Sequence, residues 1–273
     1  MATDDDKGPL LGRQVAVSEH YAPELLHPIP RARARRELGL DPAAPPFGGV
    51  DIWHAYELSW LDAHRRPVAR VGRFAIPADS ANLVESKSFK LYLNSLNGEC
   101  FDSEAAAVQR ICADIGAAAG AEVSLRLFAV DDPALAGASL PGDCLDALEA
   151  SWSDREPDVA QLVVVEGGAP QELYTHLLRS LCPVTGQPDW ASVWVRLEGA
   201  RVEPRSLLDY LLAYRKHQDF HEQCVERIFR DLLAACAPES LHVQAFYTRR
   251  GGLDITPFRG TGGREPLPRM NRQ

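Results

Sequence analysis

The sequence predicts an α+β fold made of two tandem copies of one module, because three pairs of segments recur in one order at nearly one spacing. SFKLYL and SLLDYL begin at Ser88 and Ser206, 118 residues apart. VQRICADI and VERIFRDL begin at Val108 and Val225, 117 residues apart. AEVSLRLFA and ESLHVQAFY follow, and their shared phenylalanines are again 118 residues apart. Chance similarity would not preserve both order and spacing, so we infer an internal duplication.

The first copy predicts a strand, a helix and a second strand. Residues 66–77, RPVARVGRFAIP, alternate loosely between apolar and polar side chains, which is typical of a strand. Residues 103–120, SEAAAVQRICADIGAAAG, carry apolar side chains at helical spacing and end in glycine, which predicts a helix. Residues 121–129, AEVSLRLFA, alternate with a period of two and predict the second strand.

The second copy repeats this order. Residues 191–199, ASVWVRLEG, alternate as a strand, and residues 239–247, ESLHVQAFY, predict another. Between them, residues 221–238, HEQCVERIFRDLLAACAP, predict a helix that ends before a proline. One face of this helix carries an apolar stripe formed by Val225, Ile228, Phe229 and Leu232.

Proline, glycine and acidic residues are frequent between the copies, in residues 131–158, which we interpret as a linker with a short helix near 144–152. The predicted modules are therefore residues 12–135 and 155–262. Antiparallel strands interleaved with helices favour an α+β layer over a doubly wound parallel sheet. The chain also lacks the GxGxxG fingerprint, so we expect no Rossmann crevice for a dinucleotide.

Charge and hydropathy argue against two classes of partner. The net charge of −9 and the isoelectric point near 5.4 disfavour the broad basic surface of a dedicated nucleic-acid binder. No apolar run approaches the roughly 18–20 residues that a membrane-spanning helix needs. The first residues, MATDDDKGPLLGR, are acidic and lack the apolar core of a secretory leader. We therefore expect no direct contact with nucleic acid or membrane.

The cysteines are scattered, with no CxxC pair and no cluster with histidine. They are Cys100, Cys112, Cys144, Cys182, Cys224 and Cys236. This pattern predicts neither a zinc site nor a disulfide framework. Reduced thiols in a cytoplasmic protein are the simplest interpretation.

Cys182 and Asp189, in the segment CPVTGQPD, are the first candidates for chemistry. A free cysteine is usually a small buried hydrophobic residue. Here Pro183 and the turn after it end the regular element, so the thiol would face a loop, where a nucleophile is accessible. Asp189 is either a turn residue or, packed against the Trp190 indole, a carboxyl that loses water and keeps a proton to donate.

His221 and Glu222 open the predicted helix of the second copy, behind Asp219 as a possible N-cap. They form either a solvated first turn or a recognition pair. A carboxylate can accept two parallel hydrogen bonds from the N–H and NH₂ edge of a guanine-like ring, and histidine is the usual proton shuttle. Phe220 would either stack on such a ring or join the core.

Two basic segments are candidates for phosphate binding. ESKSFK has Lys87 and Lys90 on one face if the segment is helical, next to the hydroxyl of Ser86. TRRGGLDI supplies Arg250 and a glycine pair at which the backbone can approach a ligand closely. A solvated lysine face and an ordinary turn are the alternatives. FHEQ has no counterpart in the first copy, so we expect a site at the seam between the copies.

Together these motifs resemble one enzyme family. ESKSFKLYLNS, CPVTGQPD, FHEQCVERIF and RRGGLDI occur in the order found in the long, two-module NADPH-dependent 7-cyano-7-deazaguanine reductases of tRNA queuosine biosynthesis, and HPIPR near the start is similar too. That family has the tunnelling fold, an antiparallel sheet backed by helices. The resemblance therefore implies tandem tunnelling-fold modules. Because such modules generally assemble into closed barrels, it also implies a homodimer.

The resemblance implies reduction of a nitrile to an amine with NADPH. Cys182 would add to the nitrile carbon of the deazaguanine substrate to give a covalent thioimide, and Asp189 would protonate the nitrogen. The implied substrate contacts are Val84, Glu85, Ser86, Phe220, His221 and Glu222. The implied NADPH contacts are Ser86, Lys87, Arg250 and Gly251. No metal ion is implied.

Two other functions stay open on the sequence alone. One is a different tunnelling-fold enzyme that acts on a pterin or purine, such as a cyclohydrolase or pterin synthase. Its zinc-dependent members need a His/Cys ligand set, which the sequence does not show. The other is a non-catalytic purine-binding module, which would have no use for a nucleophile at Cys182. Substrate-dependent oxidation of NADPH separates the reductase from both.

Overall fold

The computed structural model describes residues 20–150, 152 and 154–273. The acidic N-terminal segment and residues 12–19 of the first predicted module lie outside this range. The α-helices of the described residues are α1 (Arg31–Glu37), α2 (Ser86–Ser95), α3 (Glu104–Ala119), α4 (Pro204–Leu212) and α5 (His221–Cys236). The strands are β1 (Pro28–Pro30), β2 (Gly48–Leu61), β3 (Pro67–Pro77), β4 (Asn82–Val84), β5 (Ser124–Phe128), β6 (Asp143–Cys144), β7 (Val164–Val165), β8 (Gln171–Leu181), β9 (Pro188–Glu198), β10 (Arg201–Val202), β11 (Ser240–Tyr247) and β12 (Leu253–Gly260).

Eight strands form one sheet in the order β5-β3-β2-β12-β11-β9-β8-β6. Neighbouring strands are antiparallel, except that the two-residue strand β6 runs parallel to β8. The sheet crosses from one copy to the other because β12 pairs with β2, from Leu253 opposite Ala55 to Gly260 opposite Gly48. The predicted α+β class, with antiparallel strands backed by helices, is confirmed, and the two copies share a single sheet.

The duplication extends to local structure. In each copy a hairpin, β2–β3 or β8–β9, is followed by a short strand, two helices and a further strand. The first helix of each pair is capped in the same way. The Glu85 carboxylate accepts a hydrogen bond from Ser88 N at 2.6 Å, and the Glu203 carboxylate accepts one from Ser206 N at 2.6 Å. In both copies a glutamate carboxylate therefore accepts hydrogen bonds from the otherwise unpaired backbone N–H groups of the first helical turn.

The two long helices agree with their sequence patterns. In α3, Ser103 accepts a hydrogen bond from Ala106 N, and Gly120 ends the helix in the left-handed conformation at φ +69°. The apolar stripe of α5 is fully buried. The expected N-cap at Asp219 is wrong, because that carboxylate contacts His217 and Arg227 instead. Helix α5 begins one residue later, where the Gln223 side chain accepts a hydrogen bond from the Phe220 backbone N–H.

The predicted helix near residues 144–152 is wrong. Residues 143 and 144 form β6, and Leu145 N donates to Tyr174 O at 2.8 Å. The Asp146 carboxylate accepts hydrogen bonds from Thr175 Oγ1 at 2.6 Å and His176 N at 3.1 Å. These bonds to β8 hold the start of the segment extended along the sheet edge and bury the Leu145 side chain, and a turn follows in which Leu148 N donates to Leu145 O. Pairing with a distant strand therefore overrides the local helical pattern.

Helices and sheet enclose two hydrophobic clusters, one for each copy. The first is built around Trp53 and Phe89, and the second around Val193 and Phe229. Leu253 and Ile255 of the second copy pack into the first cluster, so that cluster extends across the seam. A third, smaller cluster includes Trp194 and Phe258, and none of its buried residues comes from a described helix. Among the described helices, none is both long and apolar enough to cross a membrane.

Candidate active site

A cavity of about 400 Å³ lies at the seam between the two copies. The first copy contributes residues from β2 and from the segment around the start of α2, and the second contributes the β8–β9 turn and the start of α5. Eight residues predicted from the sequence line it: Val84, Ser86, Cys182, Asp189, Phe220, His221, Glu222 and Arg250. Segments far apart in the chain thus meet at one cleft that is partly open to solvent.

Cys182 and Asp189 come together because β8 and β9 form a tight hairpin. The register sets Ser180 opposite Asp189, and beyond the strand end Cys182 N donates to Gln187 O at 2.9 Å. Cys182 lies two residues after Ser180, so its side chain and that of Asp189 are diagonal neighbours on one face of the hairpin. The seven-residue spacing, which carries no meaning in the sequence alone, is the spacing of this turn.

The Asp189 carboxylate is buried, and both of its oxygens are engaged. His221 Nε2 lies 3.2 Å from Oδ2, and Arg250 Nη2 lies 2.8 Å from Oδ1. The imidazole of His221 is itself held in place by stacking on the Tyr247 ring, with ring centroids 3.7 Å apart and planes 13° apart. The carboxyl is therefore fixed on the cavity wall, on the same hairpin face as the Cys182 thiol.

The expectation that Trp190 strips water from Asp189 is wrong, because successive residues of a strand point to opposite faces. Trp190 is 37% exposed and lies within reach of the guanidinium groups of Arg179 and Arg215, whose centres are 5.7 and 5.5 Å from its ring. Asp189 is buried on the other face, among the residues of the cavity.

His221 and Glu222 form the first turn of α5 and direct two different groups to the cavity. A helix N-terminus favours negative charge, which suits a carboxylate at this position. Burial raises the pKa of the Glu222 carboxyl above its ordinary value, and nearby Asp51 adds to the rise, while His221 and Arg31 oppose it. Phe220 is half-buried on the cavity wall rather than in either core. The arrangement offers a planar ligand one acidic edge and one aromatic face.

Glu85 is the predicted substrate contact that does not line the cavity, although Val84 and Ser86 on either side of it do. Its buried carboxylate caps α2 by accepting hydrogen bonds from Lys87 N at 3.2 Å and Ser88 N at 2.6 Å. A contact between Glu85 and a base would therefore compete with this cap. Its role in substrate binding stays a prediction.

A second cavity of about 560 Å³ adjoins the first and shares Ser86 and Arg250 with it. Lys87 and Lys90 project into it from one face of α2, and Thr185 and Gln187 come from the β8–β9 turn. Gly251 also lines it, with φ +59°, and a Cβ there would lie 3.3 Å from Lys90 Cδ. Cations, hydroxyls and a close approach to backbone are the features that suit a phosphate-bearing ligand. All four predicted NADPH contacts line this cavity.

Sequence reasoning missed the apolar wall of the first cavity. Trp53 and Ile255 face each other across the β2–β12 pair, and Ile29 faces Leu83 across the β1–β4 pair. The motif HPIPR contains Ile29, but the sequence alone assigns no role to this residue. The others are ordinary apolar strand residues, and only the pairing of distant strands turns them into a wall. Such a wall suits a flat heterocycle.

A group of possible metal ligands lies elsewhere. Cys144, Asp146 and His176 have ligand atoms within 4.8 Å of one another near β6 and β8, but none of them lines either cavity. A zinc-dependent pterin or purine enzyme would need its ligands at the substrate. The described residues of the two cavities therefore do not favour that alternative.

Comparisons with known proteins agree over most of the chain. Residues 17–127 match a family described as "Nitrile reductase, 7-cyano-7-deazaguanine-reductase N-term", and residues 188–265 match one described as "QueF-like protein". Proteins named NADPH-dependent 7-cyano-7-deazaguanine reductase from Chromohalobacter salexigens and Teredinibacter turnerae are 54% and 51% identical to this chain. Each alignment covers 96% of this chain, and 96% and 94% of the relatives. A solved structure of the archaeosine synthase QueF-Like in the apo form is 18% identical, with a TM-score of 0.32 over 37% of this chain and 99% of its own.

Proposed function

This chain belongs to the family of NADPH-dependent 7-cyano-7-deazaguanine reductases, and on that premise we propose how it reduces the nitrile of 7-cyano-7-deazaguanine to give 7-aminomethyl-7-deazaguanine for queuosine biosynthesis. One observation carries the assignment of residues. A single cavity at the seam of the two copies is lined by Cys182, Asp189, His221 and Glu222, and it adjoins a second cavity lined by lysine and arginine side chains.

The base binds in the first cavity. Glu222 accepts hydrogen bonds from the N–H and NH₂ groups of the guanine-like edge, which a carboxylate can do with both oxygens at once. Trp53 and Phe220 supply aromatic surface for the ring. This orientation directs the nitrile towards the β8–β9 turn, where the thiol lies.

Cys182 carries out the covalent step. Its sulfur adds to the nitrile carbon as one C–N π bond breaks, and the proton that leaves the thiol passes through Asp189 to the nitrogen to give a thioimide. His221 and Arg250 hold the Asp189 carboxyl in place for this transfer. When bound, NADPH would supply two hydrides, one for reduction of the thioimide to an imine with release of the Cys182 thiolate, and one, together with a proton, for reduction of the imine to the amine. Covalent capture thus splits one difficult reduction into easier ones.

The second cavity is the proposed place for NADPH. Lys87 and Arg250 provide positive charge for its phosphates, Ser86 a hydroxyl, and Gly251 an open backbone. Ser86 and Arg250 line both cavities, so a ligand in one adjoins a ligand in the other. This adjacency supports a direct transfer between cofactor and base.

The proposal is tested with the purified protein, the cyano base and NADPH. We expect base-dependent loss of the NADPH absorbance and, without NADPH, a covalent adduct by intact mass that peptide mapping locates at Cys182. Cys182→Ala should bind the base but give neither adduct nor turnover. Cys144→Ala, which changes an exposed thiol at the sheet edge, should behave like the parent. Full turnover by Cys182→Ala would refute the covalent mechanism, and base binding without NADPH oxidation would favour a binding module.

We also propose a homodimer in the cytoplasm. The sheet supports the dimer because β5, at its edge, pairs on one side with β3, and an edge strand offers unpaired backbone groups to a partner. The six cysteines are free in the described structure, which supports a reducing compartment. Light scattering during size-exclusion chromatography tests the assembly, and a stable monomer at micromolar concentration would contradict it. Cell fractionation tests the location.

A further inference from the structure

A cluster of buried charges lies behind Glu222, and the mechanism above does not use it. Its members are each at most 4% exposed: Arg31 and Arg35 from α1, Asp51 from β2, Glu226 from α5 and Arg259 from β12. Arg259 links the two acids, with Nη1 2.7 Å from Asp51 Oδ1 and Nη2 2.9 Å from Glu226 Oε1. Arg35 donates to both Glu226 oxygens, at 3.0 and 2.8 Å, and Arg31 Nη2 donates to Asp51 Oδ2 at 2.6 Å.

The cluster has three guanidinium groups and two carboxylates, so it carries one excess positive charge. A buried charge without a counter-charge is costly. The excess belongs to Arg31, because its Nη1 is buried without a hydrogen-bond partner in the described structure and lies 3.9 Å from Glu226 Oε1. Glu222 is one helical turn before Glu226, and it lines the same narrow crevice as Arg31, which has no room for a water molecule. Counting Glu222 makes the cluster neutral, with three charges of each sign.

We propose that Arg31 is a positioning residue for recognition of the base: its excess positive charge keeps the Glu222 carboxylate ionised, and therefore able to accept the two N–H donors of the guanine-like edge. This inference rests on the function proposed above. Arg31 belongs to the first copy, whereas Glu222 belongs to the second. The acceptor and the charge that keeps it ionised therefore come from different copies. The motif HPIPR, which ends at Arg31, acquires a role in this way.

The surroundings of Glu222 make such a charge necessary. Burial and the Asp51 carboxylate raise the pKa of Glu222, and His221 and, after it, Arg31 lower it across a dry interior, where charges interact strongly. Other titratable or charged groups in the cluster or the substrate cavity are His221, Glu226, Arg259, Cys182, Asp189 and Arg250. Among them His221 also lowers the pKa of Glu222, so the acidic limb of base binding reports the sum of these charges.

The test measures the Kd of 7-cyano-7-deazaguanine by calorimetry across pH in the Cys182→Ala background, where no adduct forms. Binding should weaken as pH falls through the pKa of Glu222, because the protonated carboxyl loses an acceptor. Arg31→Met should move this loss to higher pH by about one unit, so that the Kd at a given pH on the acidic limb rises up to about tenfold. Glu226→Gln removes a negative charge and should move the loss of base binding to lower pH. Arg31→Lys should stay close to the parent.

Arg33→Met is the matched control, since Arg33 lies on the same helix with its side chain 85% exposed. It should leave the pH profile unchanged. A purely structural role for Arg31 would lower the Tm of Arg31→Met and Glu226→Gln alike and shift their profiles in the same direction or not at all, which would overturn the inference. If the parent fails to bind the base, the proposed function fails instead. The Glu222 carboxyl titration, followed by ¹³C NMR and assigned with Glu222→Gln, then decides the inference without a ligand.

Discussion

Asp189 makes its two ion-pair contacts to residues from different places in the second copy, because His221 opens α5 and Arg250 follows β11. Neither partner lies near Asp189 in sequence. The stacked Tyr247 ring prevents the imidazole from turning away. The position of this one carboxyl is therefore set by three other residues, and the proton transfer proposed for Asp189 depends on that position.

Asp189→Asn tests this assignment. We expect the variant to bind the cyano base but to form the Cys182 adduct about 10²–10⁴ times more slowly, because an amide cannot donate the proton that the nitrile nitrogen needs. Adduct formation without NADPH, followed by mass over time, measures the rate. Trp190→Phe is the control, since that side chain lies on the opposite face of β9 and should leave the rate unchanged. Equal rates for Asp189→Asn and the parent would contradict the role of Asp189.

At the scale of elements, the duplication supplies a comparison within one chain. Helices α2 and α4 begin with the same cap, made by Glu85 and Glu203, but only α2 continues into residues that line the two cavities. The same local structure has therefore been kept in both copies, whereas the ligand-facing residues differ. Comparing Glu85 with Glu203 therefore separates the effect of a capping residue on stability from any effect on ligand binding.

Glu85→Ala and Glu203→Ala should each lower the free energy of unfolding by about 1 kcal/mol, because each leaves two helical N–H groups without an acceptor. Only Glu85→Ala should also raise the KM for the base, since the start of α2 lies beside the substrate cavity. Urea titration measures the first effect and steady-state kinetics the second. If both variants changed the KM equally, the predicted contact between Glu85 and the base would be wrong.

At the scale of the whole molecule, the buried charge cluster joins the two copies behind the active site. Burial alone would raise the pKa of Asp51, but Arg259 and Arg31 hold it below its usual value. Burial likewise opposes the ionised form of Glu226, and Arg259 and Arg35 hold the pKa of that carboxyl low. Both acids therefore stabilise the fold in their charged form. This stabilisation is complete above their unfolded pKa values and is lost as pH falls through the folded ones.

Arg259→Met should cost about 3–5 kcal/mol of unfolding free energy at neutral pH, because it leaves two buried carboxylates short of their counter-charge. The cost should shrink as pH falls, because the two carboxyls of the folded variant then take up protons and no longer need a counter-charge. Urea titrations at neutral and acidic pH measure it. Arg196→Met is the control, since Arg196 pairs with Glu172 and Glu198 near the surface and should cost at most about 1 kcal/mol. Equal costs for the two variants would contradict the cluster's role.

The local elements could be predicted because their signals are local. Helix α3 has its Ser103 cap, its apolar period and its terminal glycine within one short segment, and the strands show their alternation directly. The segment near Asp146 could not be predicted in the same way, because its extended form depends on hydrogen bonds to β8. The contacts of the Trp190 and Glu85 side chains could not be predicted for a similar reason. The face of the strand decides what Trp190 touches, and the geometry of the helix cap decides what Glu85 touches.

The repeated segments, the order of the helices and strands and the candidate site residues are apparent in the sequence alone, because periodicity, capping and motifs depend on neighbouring residues. The pairing of strands in the folded chain places Cys182 and Asp189 on one hairpin face and makes Trp53 and Ile255 part of one wall. Only the tertiary structure brings Arg31 to the crevice it shares with Glu222. Strand register and the balance of buried charge depend on residues nearly 200 positions apart, which meet only when the sheet closes across the seam.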